Sequence, residues 1–265
     1  MPKFGMVIDL QKCVGCGSCA IACKTENNTQ DRSNGQTFNW ADFIYKTEGE
    51  FPSVQFAALP VLCNHCTDAA CVEACPVTPK AMHKTKNGIT RHNEERCIGC
   101  RLCQEACPYS AKDVNKEKAV YSVISFNDPD EAINGFYRDS REVIKGGTAS
   151  GVQVAQKAGD MPPYRNHFQS SECADVRRKG ITEKCLFCEH RVINGEMPYC
   201  VVSCPSQARV FGDLEDKNSE ISKLLKKYKA SRLKNNKGEL LKAGEAGTKP
   251  NVYYIRNFKA AAKSA

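Results

Sequence analysis

The chain has 265 residues, a net charge of +8 from 38 Lys and Arg against 30 Asp and Glu, and 41% hydrophobic with 26% charged residues. That balance suits a globular protein of one large or two small domains and excludes fibrous, collagenous and wholly disordered classes. Of its 17 cysteines, sixteen fall into four groups of four and Cys173 stands alone. Disulfide frameworks belong to short secreted chains, whereas thiols two residues apart in a long chain point to metal ligation.

The opening MPKFGMVIDLQKC lacks a charged region followed by a long apolar stretch, so no targeting segment is expected. Gly5 to Leu10 reads as a strand and leads into group one, Cys13, Cys16, Cys19 and Cys23, spaced C-x2-C-x2-C-x3-C. Residues 27–61 form an inserted small lobe in which Trp40 packs. Group two, Cys63, Cys66, Cys71 and Cys75 before Pro76, has its middle gap stretched to four residues and is followed by a short strand, Ala81 to Lys84. A second short strand, Gly88 to His92, precedes group three, Cys97, Cys100, Cys103 and Cys107 before Pro108, which repeats the spacing of group one.

Residues 113–180 are rich in Gly, Pro, Ser and charge, with turn signals at Gly146 to Gly151 and Met161 to Pro163, and read as a loop-rich insertion. Group four is Cys185, Cys188, Cys200 and Cys204 before Pro205, with eleven residues in its middle gap and a strand, Ala208 to Leu214, after it. Residues 217–265 carry a basic helix, with Ile221, Leu224, Leu225 and Tyr228 at i, i+3, i+4 and i+7, then a loop over Lys234 to Lys249 and a strand at Val252 to Ile255. The longest apolar runs, Phe56 to Cys63 and Ala119 to Phe126, fall far short of the ~20 residues of a spanning helix, so no transmembrane segment is expected.

Groups one and three fit the bacterial ferredoxin run, in which three close thiolates wrap one cubane and the fourth ligates its neighbour. Lys24 stands where group one would carry the proline. An internal repeat indicates the pairing: DLQKCVGC (Asp9 to Cys16) matches NEERCIGC (Asn93 to Cys100), and CVEACP (Cys71 to Pro76) matches CVVSCP (Cys200 to Pro205). The order two then three thus returns as four then one. The expected fold is α+β, with two ferredoxin-like modules of two clusters each. One module is continuous over 62–112 and the other is split between 1–26 and 181–216, each with a two-stranded sheet. Cross-ligation then joins Cys13, Cys16 and Cys19 to Cys204; Cys185, Cys188 and Cys200 to Cys23; Cys63, Cys66 and Cys71 to Cys107; and Cys97, Cys100 and Cys103 to Cys75. The result is four 4Fe-4S clusters.

Structural zinc is the plainer alternative, but it has no use for a third cysteine at x2 and a fourth at x3 before proline. In that reading the chain is a zinc-stapled nucleic-acid binder, colourless and salt-sensitive on DNA. Four cubanes would bring about −8 in total, which offsets the basic excess and leaves no call for a nucleic-acid partner. Lys12, Lys24 and Lys184 beside ligands fit that compensation. His65 and His190 could tune a cluster or simply pack. No nucleophile elbow, phosphate loop or hydrolase motif is present, so no catalytic residue is assigned.

With the stretches GMVIDLQKCVGC, CKTENNT, TEGEFP, TEKCLFCEHR and CPSQARVFGDL, the four groups resemble the four-cluster iron-sulfur subunits of the molybdopterin oxidoreductases, the dimethyl sulfoxide reductase family. The resemblance is greatest to the small subunits of respiratory arsenate reductases, with polysulfide, thiosulfate and tetrathionate reductase subunits close behind. It implies a non-catalytic electron-transfer subunit that links a quinol- or cytochrome-linked donor to a large partner holding bis-molybdopterin guanine dinucleotide. A membrane anchor subunit or a cytochrome would be a further partner. It also implies a periplasmic location reached with a signal-bearing partner, the cytoplasm being the alternative. Hydrogenase and formate dehydrogenase complexes are other settings for such a wire. By the same resemblance the Cys13 set lies nearest the partner, followed by the Cys185, Cys97 and Cys63 sets. Cys100 stands where some relatives have tryptophan and a three-iron cluster, so a cubane is expected there. Two departures, at 76–81 and from Ser110 to Ser122, leave the downstream redox partner open.

Overall fold

Five of the six residues of strand β1 (Phe4–Asp9) are buried, as befits a strand with neighbours on both sides. Within the computed structural model, which describes residues 2–27, 29, 32, 34–129, 157 and 180–258, β1 lies inside a four-stranded sheet. On one side β8 (Arg209–Asp213) pairs antiparallel, with Ile8 opposite Arg209 and Phe4 opposite Asp213. On the other β10 (Val252–Ile255) pairs parallel, with Met6 opposite Val252, and β9 (Ala230–Ser231) pairs with β10 at the sheet's edge. The two-stranded sheet expected here is therefore corrected to four strands. The apolar edge of β1 would otherwise stand open, and the tail's Val-Tyr-Tyr-Ile covers it.

The corresponding strands β4 (Met82–Lys84) and β5 (Thr90–His92) form a separate two-stranded hairpin, as expected. Its turn uses Asn87-Gly88, with Gly88 at φ +82°, a conformation glycine adopts freely. Two further strand pairs had no sequence expectation. β2 (Ala41–Glu48) pairs with β3 (Gln55–Leu62) in the small lobe, and β3 runs straight into Cys63. β6 (Ile124–Phe126) pairs with β7 (Thr182–Lys184), which runs into Cys185. Trp40 ties these two strand pairs together by donating from Nε1 to Glu183 Oε1 at 3.2 Å. The turn signals at Gly146 to Gly151 and Met161 to Pro163, and Cys173, lie outside the described residues. Ser110 to Ser122 packs back on the small lobe through Val114 N to Gly35 O, 2.9 Å, and Thr37 Oγ1 to Ser122 O, 3.0 Å.

Short helices carry the cysteines: α1 (Ser18–Asn27), α2 (Ala70–Glu73), α3 (Leu102–Ala106), α4 (Glu189–Val192) and α5 (Tyr199–Val202). The basic helix α6 (Glu220–Lys227) begins at Ser219, whose Oγ accepts from Ser222 N at 3.2 Å as an N-cap. Its buried Ile221 packs on Val7 and Ile255, while Lys223, Lys226 and Lys227 stay exposed, so the helix serves its own sheet. The loop after it returns over group two, where Thr67 N and Asp68 N donate to Lys249 O and Thr248 O. Among the described residues, no helix is long and apolar enough to cross a membrane.

Candidate metal centres

The Cys-x-x-Cys loop that opens each group turns in the same way. Its third residue is left-handed in all four: Gly15 at φ +67°, His65 at +42°, Gly99 at +70° and Phe187 at +54°. Glycine accepts this conformation readily. His65 and Phe187 are held in it while buried face to face, their ring centroids 3.6 Å apart. This stack joins groups two and four.

Three cavities collect the cysteines. One is lined by Cys63, Cys66, Cys71 and Cys107. Another is lined by Cys75, Cys97, Cys100 and Cys103. A third is lined by Cys13, Cys16, Cys19 and Cys204. The remaining four also meet: Asn27 Nδ2 lies 3.5 Å from Cys23 Sγ and 3.9 Å from Cys188 Sγ, Cys185 opens the same loop as Cys188, and the helix of Cys200 packs on that of Cys23. The structure thus brings together every set the repeat assigns.

The donor sets fit a cluster better than a single ion. Thiolates on one zinc would stand about 3.8 Å apart, from a Zn–S bond of about 2.3 Å. Among the described residues, no three His, Cys, Asp or Glu side chains converge on one ion, and the sixteen described cysteines are all free thiols. Four thiols spread around a cavity match a polynuclear group that fills it. Burial pushes the Cys66 and Cys103 thiols up to about 11 and Cys71 up to about 12, so iron must displace their protons on binding.

Buried cations and hydrogen-bond donors surround the thiols. Lys184, 1% exposed, donates from Nζ to Thr90 O at 2.5 Å and Cys185 O at 2.6 Å. Lys84 Nζ reaches Cys66 O at 2.9 Å, and burial lowers its pKa to about 8. Of the three lysines singled out from sequence, Lys184 occupies the interior, Lys12 is exposed, and Lys24 Nζ lies 3.5 Å from Thr29 Oγ1. Sequence reasoning missed Lys84, Arg209 and several sulfur partners. Thr248 Oγ1 donates to Cys66 Sγ at 3.0 Å, Thr182 Oγ1 lies 3.5 Å from Cys103 Sγ, and Asn27 Nδ2 donates to Cys23 Sγ at 3.5 Å. Asn27 follows Cys23 on one helix face and was open to helical spacing. Thr248 arrives from a distant loop that no local pattern connects to Cys66. His190 is tied to Glu26, Nε2 to Oε1 at 2.8 Å, which assigns it to holding α1 on α4. His65 Nδ1 accepts from Thr90 N at 3.1 Å.

The sets form a line. Strand β7 passes Thr182 beside the Cys97 cavity and Lys184 beside the Cys63 cavity before it reaches Cys185, and helix α1 carries both Cys19 of the Cys13 set and Cys23 of the Cys185 set. The order is therefore the Cys13, Cys185, Cys63 and Cys97 sets. This corrects the expectation that placed the Cys97 set third, because the His65–Phe187 stack draws group two against group four. Each end of the line has an exposed thiol, Cys16 at one and Cys100 at the other.

An α+β fold that lines up four sets of four thiols, with cations between them, defines a ferredoxin-type electron carrier of several clusters. The chain belongs to the 4Fe-4S dicluster domain family, whose model matches residues 54–126 and 136–214, with a 4Fe-4S binding domain matching 4–25. Its relatives include the arsenate respiratory reductase iron-sulfur subunit of Shewanella sp. strain ANA-3, 45% identical over 97% of each chain. A tetrathionate reductase subunit of Salmonella typhimurium is 30% identical over 96% of this chain and 70% of its own. The menaquinone reductase iron-sulfur cluster-binding subunit of Nitratidesulfovibrio vulgaris is 30% identical over 96% and 88%. The chain is an electron-transferring iron-sulfur subunit, and its two dicluster domains carry four 4Fe-4S clusters.

Proposed function

We propose that the chain is the wire of a respiratory arsenate reductase, passing electrons one at a time to a molybdopterin-containing catalytic subunit. The observation that carries this reading is 45% identity over 97% of both chains with the Shewanella subunit. Bound 4Fe-4S clusters supply one-electron carriers, and the protein's part is to hold them close, dry and charge-compensated.

In this reading Cys13, Cys16, Cys19 and Cys204 hold the cluster nearest the catalytic partner, and Cys23, Cys185, Cys188 and Cys200 hold the next. Cys63, Cys66, Cys71 and Cys107 hold the third, and Cys75, Cys97, Cys100 and Cys103 the one facing the quinol- or cytochrome-linked donor. The collection of each set around one cavity or one buried thiol supports it. The same ligand sets divide the chain into a continuous module over 62–112 and a split one over 1–26 and 181–216, with the lobe at 27–61, the insertion at 113–180 and the tail at 217–265 attached. The subunit works in the periplasm, exported with its signal-bearing partner. A tetrathionate-reducing complex is the second reading, supported by similarity to the Salmonella subunit over 96% of this chain.

The test is anaerobic purification of the intact complex with iron, sulfide, zinc and molybdenum analysis, followed by reduction of arsenate or tetrathionate with viologen as donor. About sixteen irons per chain, from four cubes of four, a molybdenum-containing partner and arsenate turnover are expected. Zinc in place of iron would overturn the wire, and turnover of tetrathionate alone would select the second reading.

A further inference from the structure

The strand rung beside the thiols carries different chemistry in the two sheets. In the hairpin Met82 pairs with His92, and in the large sheet Arg209 pairs with Ile8. These positions correspond. Met82 and Arg209 each follow an alanine whose carbonyl accepts a backbone N–H at 2.8 Å, Ala81 from Asn93 and Ala208 from Asp9. His92 and Ile8 each stand five residues before the first cysteine of their group. The hairpin rung carries a thioether and a buried imidazole. The large-sheet rung holds a guanidinium.

Arg209 is 3% exposed, and its Nη1 donates to Met6 Sδ at 3.7 Å. Nη2 is buried, and among the described residues it has no hydrogen-bond partner and no carboxylate pairs with it. Removing a guanidinium from water without a counter-charge is costly, so something anionic must compensate it. Two thiol sets are within its reach. Arg209 lines the cavity of Cys13, Cys16, Cys19 and Cys204, and its charge acts on Cys200 of the next set. Burial opposes its charge, but the Cys19 and Cys200 thiolates more than offset that, and its pKa lies above the usual guanidinium value.

We infer that Arg209 is the shared counter-cation of the Cys13 and Cys185 cluster sites, and that it raises the reduction potentials of this pair. The inference rests on the ligand sets proposed above. A fixed positive charge against a cluster stabilises the added electron. The other buried cations are placed differently: the charge of Lys184 acts on Cys185 and Cys71, one thiol in each half, and Lys84 Nζ lies 2.9 Å from Cys66 O in the other half, so Arg209 is the cation particular to this pair. Arg209 thus makes these two carriers better electron acceptors than they would be without it.

The test is a redox titration of the intact complex followed by electron paramagnetic resonance, comparing wild type with Arg209→Met, which installs the hairpin's residue, and with Arg209→Lys. Two of the four potentials should fall in Arg209→Met with iron content unchanged, the other two should hold, and Arg209→Lys should recover most of the shift. If Arg209→Met does not assemble, the same two potentials must lie lower in Arg209→Gln than in Arg209→Lys. Full iron with unmoved potentials, or an equal shift of all four, overturns the inference alone. A wild-type chain without four clusters overturns the ligand reading, and the inference with it.

Discussion

The hairpin β4–β5 and the pair β1–β8 place the same backbone beside the thiols by contacts of opposite range. The hairpin closes through the Asn87-Gly88 turn, whereas Lys3 N reaches Asp213 Oδ1 across 210 positions of the chain. The short closure spends little chain entropy; the long one must be offset by added contacts. Those come from the tail, as β10 pairs along β1 and Ile221 of the basic helix packs under it. Even the residue four before each first cysteine follows the contrast. Asp9 is a buried carboxylate held by Arg256 from the tail, with Nε on Oδ1 at 2.8 Å, while Asn93 is neutral and needs only Arg96 N at 3.0 Å. One sheet is local and self-sufficient; the other is where both ends of the chain must converge.

The sharpest way to break this contrast is Gly5→Val. A Cβ there would lie 2.8 Å from Asn251 O and 2.7 Å from Leu214 Cδ1, forcing β1 away from its neighbours. Overpacking of this kind costs about 3 kcal/mol, and the anaerobic protein should melt earlier and lose iron first from the Cys13 and Cys185 sites. Gly88→Ala probes the hairpin. Its φ of +82° strains any side chain, but the new Cβ meets only Lys3 Cγ at 3.3 Å, so about 1–2 kcal/mol is expected, with all four clusters kept. A Gly88→Ala loss as large as that of Gly5→Val would erase the distinction. Thr248→Val should have the smallest effect, about 1 kcal/mol, from the hydrogen bond lost at Cys66. Its spectroscopic change should be confined to the Cys63 site, and a change at the Cys13 site instead would show that the tail does not serve the local half through this loop.

Much of this contrast was legible in the residues. The matching octets at Asp9 and Asn93 foretold corresponding strands, and the tail strand was visible as Val-Tyr-Tyr-Ile, although its parallel partner was not. The β2–β3 hairpin escaped because Ala41 to Ile44 is buried throughout and Tyr45 to Glu48 is exposed throughout, which leaves no alternation to read. Spacing grouped the thiols but said nothing of the Thr248 hydroxyl, which depends on a loop folding back from the far end. Arg209 looked like an ordinary strand residue, since its burial is decided by Met6 and two thiol sets supplied from elsewhere in the chain. The order of the inner sets turned on a ring stack between residues that sequence places in separate loops.

The exposed thiols at Cys16 and Cys100 give the line of carriers two open ends. Dioxygen and other diffusing oxidants would meet a free subunit at those ends, while seven of the eight thiols of the Cys185 and Cys63 sets are buried and Cys66 is partly so. A redox partner that covers an end therefore also shields it. Assembly would then protect the outer carriers from corrosion, and a subunit kept apart in air should decay from its ends inward.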